Sequence, residues 1–309
     1  MKRLSFLISL MTEKNAYQKD QASAAKAAAH RLGVDVRVIF ADNDAVTQSE
    51  QLLTVIQSSS EDDRPSGIVC HPVGTPLERV AREAMIRGIA WALVNRDAEY
   101  IAELRNRHSV PASATTLDQE EIGRIQGRQF GVLLPRGGTA VYIIGPSTNP
   151  VFKHRLAGML ETKPANIQVI TLRGTLTEQS GYEATASWLR LHTARNTRVD
   201  LVAGQNDDMA IGARRAFDEQ LTGDERERWL NLPYTGCDAS SGAGAEWIRQ
   251  GLLTASVFLP PTAGLAVEGL ARAIQGKSQP VLRQQIAPLS RPSLEELAEA
   301  AKKKEAVLR

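Results

Sequence analysis

The feature that most restricts the fold of this sequence is a series of short apolar runs alternating with helical patterns, which starts again part-way along the chain. Leu4–Leu10 reads as a first strand. Behind it Tyr17, Gln21, Ala24, Ala25, Ala28 and Leu32 share one helical face, and Gly33 supplies the stop. Val34–Phe40, Gly67–Cys70 and Ile89–Val94 read as further strands. Leu52, Leu53 and Ile56 mark the helix after the second. Leu77, Val80, Ala81, Ala84 and Met85 mark the helix after the third, closed by Gly88. Strands separated by helices are joined by crossovers, and these give a parallel sheet covered on both faces.

The pattern restarts near residue 112. Asp118 is placed to cap a helix carrying Ile122, Ile125 and Phe130. Ala140–Ile144, Ile167–Leu172, Val199–Ala203 and Pro233–Cys237 then read as strands with helices between them, and Ala255–Leu259 as extended chain. Ala263, Ala266, Val267, Leu270 and Ile274 line another helix, stopped at Gly276. Ser293-Leu294-Glu295-Glu296 is a capping box that opens a last helix. At 309 residues the chain suits two domains of ~150 each. The expected class is α/β, with two doubly wound, Rossmann-like parallel sheets.

Composition removes several functions. The net charge is +2, from 37 basic and 35 acidic residues, without the concentrated basic face that nucleic acid demands. The run Lys302-Lys303-Lys304 reads as the solvated face of a polar helix. Cys70 and Cys237 each end an apolar run and read as buried free thiols. The 5 histidines form no ligand-spaced cluster, so no metal site is expected. No stretch is long enough to span a membrane, so no membrane insertion is expected. Lys2 and Arg3 ahead of Leu4–Met11 resemble a shortened leader, but no small-residue cleavage site follows, and a buried first strand is the better reading.

In open parallel sheets, ligands sit beyond the carboxyl ends of the strands, where loop amides and helix N-termini point. The polar residues just past each apolar run are therefore the informative ones. They are Asn15 and Tyr17, Asn95 and Arg96, the run Gly204-Gln205-Asn206-Asp207-Asp208, and Asp238, with Arg155 early in its helix and Phe258 nearby. Amides, carboxylates and guanidinium forks pair with hydroxyls that both donate and accept, and aromatics pack on the C–H faces of a sugar ring. A nucleotide site asks for glycines after the first strand, and Leu10–Asn15 has none, so no cofactor is expected. No nucleophile elbow, catalytic triad or phosphate loop points to an enzyme. Some assignments stay open at this level. Tyr17 reads equally as a core residue and Phe258 equally as hinge packing. Asp207 reads as the helix cap, which leaves Asn206 for the ligand. His71 reads as a loop residue and Trp91 as core.

These positions resemble the type I periplasmic sugar-binding proteins, the group containing ribose-binding protein and the ligand domains of lactose-repressor-like regulators. The resemblance rests on Leu93-Val94-Asn95-Arg96, on Gly204-Gln205-Asn206-Asp207-Asp208-Met209-Ala210-Ile211-Gly212-Ala213, and on Gly236-Cys237-Asp238. It implies ligand contacts at Asn15, Tyr17, Asn95, Arg96, Arg155, Asn206, Asp238 and Phe258. Departures are visible. The first loop reads Asn15-Ala16-Tyr17-Gln18 without the usual proline and paired aromatics. Leu176 replaces a stacking aromatic, Phe258 a glutamine, and Met159 a phenylalanine. The resemblance implies two lobes joined by a three-segment hinge, one built from residues 1–112 and 260–278, the other from 113–259 and 279–309, with a strand near Val281–Ala287 returning to the second. It implies a receptor that closes on a monosaccharide or polyol and delivers it to an ABC-type importer. The alternative is a sensor passing occupancy to a two-component or chemoreceptor partner. A periplasmic location with an absent leader follows from the resemblance, a cytoplasmic one being the alternative. The first strand opens the chain with no helix-turn-helix ahead of it, so a DNA-binding repressor is not expected.

Overall fold

A strand that is apolar on both faces needs cover on both sides, and the element order supplies it twice. The computed structural model describes residues 3–58, 60, 64–74, 77–147, 150–195, 197–239 and 242–307. Met1 and Lys2 of the leader-like start, and the side chain of Lys304, lie outside the described residues. In chain order the first elements are β1 (Ser5–Leu10), α1 (Ala16–Leu32), β2 (Asp35–Phe40), α2 (Ala45–Ile56), β3 (Gly67–Cys70), α3 (Glu78–Ile86), β4 (Ala90–Val94), α4 (Tyr100–Arg107) and β5 (Ala112–Leu117). Then come α5 (Gln119–Leu133), β6 (Gly138–Ile144), α6 (Pro150–Thr162), β7 (Ile167–Arg173), α7 (Glu178–Leu189), α8 (His192–Arg195), β8 (Leu201–Gly204), α9 (Asp207–Gln220), α10 (Gly223–Leu230) and β9 (Tyr234–Thr235). The last are α11 (Ala243–Arg249), β10 (Ser256–Phe258), α12 (Ala263–Ile274), β11 (Arg283–Ile286), β12 (Leu289–Arg291) and α13 (Leu294–Val307).

The chain divides into two units: Met1–Leu117 with Pro260–Ile286, and Asp118–Leu259 with Ala287–Arg309. The first holds a six-stranded sheet in the order β11-β5-β4-β3-β1-β2, parallel throughout. Alternation along β1 sends Phe6, Ile8 and Leu10 to one face, where Ala25 and Ala28 of α1 and Val267 and Leu270 of α12 bury them. Leu7 goes to the other face and joins Ile68, Trp91 and Leu93 under α2, α3 and α4. The small side chains of α1 let it lie close on the sheet. Its end is fixed by Gly33, whose φ of 65° brings its N–H onto the carbonyls of Ala29 and His30.

The second unit holds a parallel sheet in the order β7-β6-β8-β9. β10 continues it through isolated parallel bridges, Thr235 to Ala255 and Asp238 to Phe258, and β12 runs antiparallel to β10. Val141, Ile143, Met209 and Phe217 fill one face, where the Phe217 and Trp229 rings stack at 4.1 Å. Tyr142, Phe130 and Met159 fill the other, under α5 and α6. α5 and α6 approach closely enough that a Cβ on Gly123 would strike the Arg155 carbonyl, and one on Gly158 the Glu120 carbonyl. Asp118 caps α5, and Ser293 with Glu296 forms the expected capping box on α13.

Two of the three expected boundaries lie elsewhere. The sequence places the exchanges near residues 112, 259 and 279, whereas the units divide after Leu117, Leu259 and Ile286. β5 belongs to the first sheet, and so does β11, which pairs with it in parallel from Arg283–Ala114 to Ile286–Leu117. The strand expected near Val281–Ala287 therefore extends the first unit and not the second. β5 escapes a search for apolar runs because its sequence, ASATTL, buries small and hydroxylated side chains.

Candidate functional site

In the first unit the strand-end residues form two hydrogen-bond chains. One runs from backbone to Asn95. The Ala263 N–H donates to Gln21 Oε1 at 2.7 Å, Gln21 Nε2 to Thr262 Oγ1 at 3.4 Å, and the Thr262 hydroxyl to Asn95 Oδ1 at 3.0 Å. The Tyr17 hydroxyl donates to the same oxygen at 3.0 Å. Tyr17 is buried as a core residue is, with its hydroxyl on Asn95. Asn95 follows β4 directly and adopts a left-handed φ of 59°. The second chain ends on His71. The Met11 N–H donates to Gln18 Oε1 at 3.1 Å, and Gln18 Nε2 meets His71 Nδ1 at 2.9 Å. Asn15 caps α1, its side chain accepting from the Gln18 N–H at 3.2 Å.

Arg96 donates to the Gly74 carbonyl. Burial lowers its pKa below the ordinary arginine value. Burial, with the Arg96 charge beside it, drops His71 to about 3, so its ring is neutral at any physiological pH. His71 lies in the loop that follows β3, as expected, and is buried there. The carboxamide of Gln48 accepts from the Val73 N–H at 2.8 Å and donates to the His71 carbonyl at 3.0 Å, fixing the turn after β3.

In the second unit Arg155 is only 7% exposed. It donates to the Gln205 carbonyl at 2.7 Å and to Gln119 Oε1 at 2.9 Å, and its Nη1 lies 3.6 Å from Cys237 Sγ. Among the described residues no carboxylate pairs with it. It therefore stands against the residues that immediately precede two expected ligand positions, Gln205 before Asn206 and Cys237 before Asp238. Asp238 has a φ of 121° and is bridged to Phe258. The Phe258 ring carries the Arg291 guanidinium over one face, 3.9 Å from its centroid, so that face is not open to a sugar ring.

The assignment of the α9 cap reverses. Asn206, and not Asp207, caps the helix, accepting from the Met209 N–H at 3.0 Å. Its amide donates to the Leu176 carbonyl at 2.9 Å, so the side chain expected for the ligand already holds two segments together. Asp207 is turned inward, where Oδ1 accepts from the Ser256 hydroxyl at 2.6 Å and Oδ2 from the Ala239 N–H at 2.8 Å. Burial raises its pKa well above the usual carboxylate range. Asp208 is pushed up to about 6 by burial and by Glu178. Sequence reasoning placed Gln205 in the strand-end run but gave it no role; its side chain accepts from the Gly145 N–H at 2.8 Å and donates to the Phe152 carbonyl at 3.0 Å. It passed over Thr262, which no local pattern marks. Both cysteines are buried and free. Among the described residues no group of acids, histidines and cysteines is arranged to hold a metal, and no helix is long and apolar enough to cross a membrane.

The family model of the periplasmic binding protein domain matches residues 6–278. The chain belongs to this family. Solved structures agree in fold. An ABC transporter periplasmic solute binding protein from Actinobacillus succinogenes, with bound D-allose, matches with a TM-score of 0.78 at 16% identity, over 96% of this chain and 100% of its own. An ABC transporter solute binding protein from Bacillus halodurans, with bound myo-inositol, matches at 0.72 and 20% identity, over 97% and 98%. The fructose binding periplasmic domain of a hybrid two component system matches at 0.74 and 18% identity, over 99% and 96%. The two-lobed type I periplasmic binding fold expected from the Asn95-Arg96 and Asn206–Ala213 segments is therefore the fold of this family member.

Proposed function

We propose that this protein is a solute-binding receptor that captures a monosaccharide or polyol with strand-end residues of both units and presents it, in the periplasm, to an ABC-type importer. Arg155 carries the reading. A buried guanidinium without a carboxylate partner among the described residues is costly to hold. It becomes useful when an oxygen-rich ligand completes its hydrogen bonds. Asn95, Arg96 and Asp238 are the other polar groups assigned to the ligand, with Asn15 and Asn206 positioned as helix caps at its margin. Tyr17 supports the ligand through Asn95, and Phe258 through Asp238. The family is one of binding proteins, and the proposal assigns no reaction.

The similarity to a sensor domain favours a second reading, in which occupancy is passed to a signalling partner. Calorimetry against pentoses, hexoses and cyclic polyols tests the ligand class, and a set of sugars that all fail to bind refutes it. Pull-down from a membrane fraction with and without ligand separates the partners: a permease supports import, a kinase or chemoreceptor the sensor. Turnover of a bound sugar overturns both.

A further inference from the structure

The two hydrogen-bond chains of the first unit have a direction, and the direction decides what they offer. Each starts at a backbone N–H, which only donates. Because the Ala263 N–H occupies Gln21 Oε1, Gln21 presents its amide nitrogen to Thr262. Thr262 then turns its hydrogen to Asn95 Oδ1, which also takes the Tyr17 hydroxyl. A carbonyl oxygen has two lone pairs, and both are used. Asn95 is left with its Nδ2 hydrogens, for which the described residues provide no acceptor. Likewise the Met11 N–H occupies Gln18 Oε1, so Gln18 donates to His71 Nδ1. The ring is neutral, so its proton sits on Nε2. That N–H also finds no partner among the described residues, on a side chain that is 9% exposed.

His71 and Asn95 follow the neighbouring parallel strands β3 and β4, and the Arg96 guanidinium lies beside His71. This end of the sheet thus sets three donors together, one of them charged. The acids near it are engaged or solvated. Asp97 accepts from the Ala98 N–H and pairs with Arg283, Asp44 caps α2, and Glu13 and Asp42 are exposed.

Among the described residues, His71, Asn95 and Arg96 offer a sugar hydroxyl donors for its oxygen and no free acceptor for its own hydrogen, and a buried hydroxyl left unpaired opposes binding. A carboxylate has no hydrogen to place, accepts at both oxygens, and matches the charge of Arg96. A phosphate asks for a glycine-rich turn of backbone N–H groups, and Met11–Asn15 contains no glycine. We infer that the first unit receives a carboxylate, and that the ligand is a sugar acid of the uronate or aldonate class. This rests on the sugar-receptor reading and narrows it.

The test is calorimetry on matched pairs, D-glucuronate with D-glucose, D-galacturonate with D-galactose, and D-gluconate with sorbitol, with glucose 6-phosphate as a further arm. One acid should bind at least roughly tenfold tighter than its neutral partner, the loss expected when a charge-assisted hydrogen bond is exchanged for an unpaired hydroxyl. Asn95→Asp keeps the oxygen that Tyr17 and Thr262 need while adding a negative charge, so it should reverse the preference, with the melting temperature reporting that the variant is folded. A neutral sugar that binds tighter than its acid, a phosphate that outcompetes the carboxylates, or a folded Asn95→Asp with the parent's preference overturns the sugar-acid inference and leaves the receptor reading in place. A panel in which neither acids nor neutral sugars bind removes both.

Discussion

Replacing Arg155 with methionine separates a ligand-binding role from a structural one. The side chain makes two hydrogen bonds from a charged group, to the Gln205 carbonyl at 2.7 Å and Gln119 Oε1 at 2.9 Å. Bonds of this kind contribute about 1.5–3 kcal/mol each, so about 3–6 kcal/mol together. Against them stands the burial of a cation that is 7% exposed with no carboxylate beside it among the described residues. That penalty is on the order of several kcal/mol. The two nearly cancel. Methionine fills similar space and keeps the contact with the Phe152 ring, over which the guanidinium now lies at 5.7 Å. Arg155→Met should therefore move the melting temperature of the empty protein by less than about 8 °C, at roughly 2–4 °C per kcal/mol. Ligand affinity should fall roughly ten- to a hundredfold, since a charge-assisted bond to the ligand is lost. Differential scanning calorimetry and titration calorimetry on the same preparation read both quantities. A melting temperature lowered by more than about 10 °C with affinity unchanged would show that Arg155 pins Gln119 and Gln205 and does nothing for the ligand.

Other consequences follow from the same geometry. Asp207 has a raised pKa, so the native state holds its proton more tightly than the unfolded chain does, and stability is lost as pH rises from the ordinary aspartate range toward neutrality. Asp208 acts with the same sign up to about 6. Thermal melts of the parent between pH 4 and pH 7 should show that decline, and Asp207→Asn should flatten it; a slope unchanged by the substitution refutes the assignment. Gly123→Ala puts a methyl against the Arg155 carbonyl, should cost about 1–3 kcal/mol, and should weaken ligand binding by displacing α6; equal melting temperature and affinity would show that the helices yield freely. The proposed capture of a ligand by residues of both units predicts a smaller radius of gyration by solution scattering at saturating ligand, and an unchanged radius argues against closure.

The strand–helix alternation was legible because most of the strands announce themselves as apolar runs buried on both faces, as Ile68, Val69 and Cys70 do. β5 was not, and β11 was read as a strand of the wrong unit, for different reasons. β5 (ASATTL) buries small and hydroxylated side chains, and β11 (RQQI) is an edge strand whose side chains are alternately exposed and half-buried. Once β5 is missed, its partner has no visible place in the first sheet, and the boundary at 286 cannot be read. The strand-end rule located the polar residues but not what each does. Whether Asn206 or Asp207 caps α9 depends on which side chain the backbone turns inward. Ser256 and Ala239, which receive Asp207, lie far along the chain. The same holds for His71, whose role depends on Gln18, 53 residues away.

Backbone strain points to the same sheet ends. Among the described residues, the non-glycine positions with left-handed φ are Asp42, Asn43, Asn95, Leu176, Asp238 and Ala239. Each lies shortly past the carboxyl end of a sheet strand: β2, β4, β7 or β9. Strain of ~1–3 kcal/mol per residue persists where the surrounding structure enforces it, and it gathers at sites that bind. Asp238 is the strongest case, because a φ of 121° is one that side-chain-bearing residues rarely adopt. A pair of variants isolates the strain. Asp238→Ala and Asp238→Gly both remove the carboxylate and differ only in a Cβ. At an ordinary backbone position alanine is the more stable of the two, by ~0.4–1 kcal/mol, because glycine has more freedom to lose on folding. At Asp238 the order should reverse, with the glycine variant melting several degrees above the alanine variant, as ~1–3 kcal/mol of relieved strain exceeds that difference. Both should bind ligand more weakly than the parent by a similar factor. An alanine variant as stable as the glycine variant would mean that the loop relaxes to an ordinary φ, and that the turn after β9 is not held in place for a ligand.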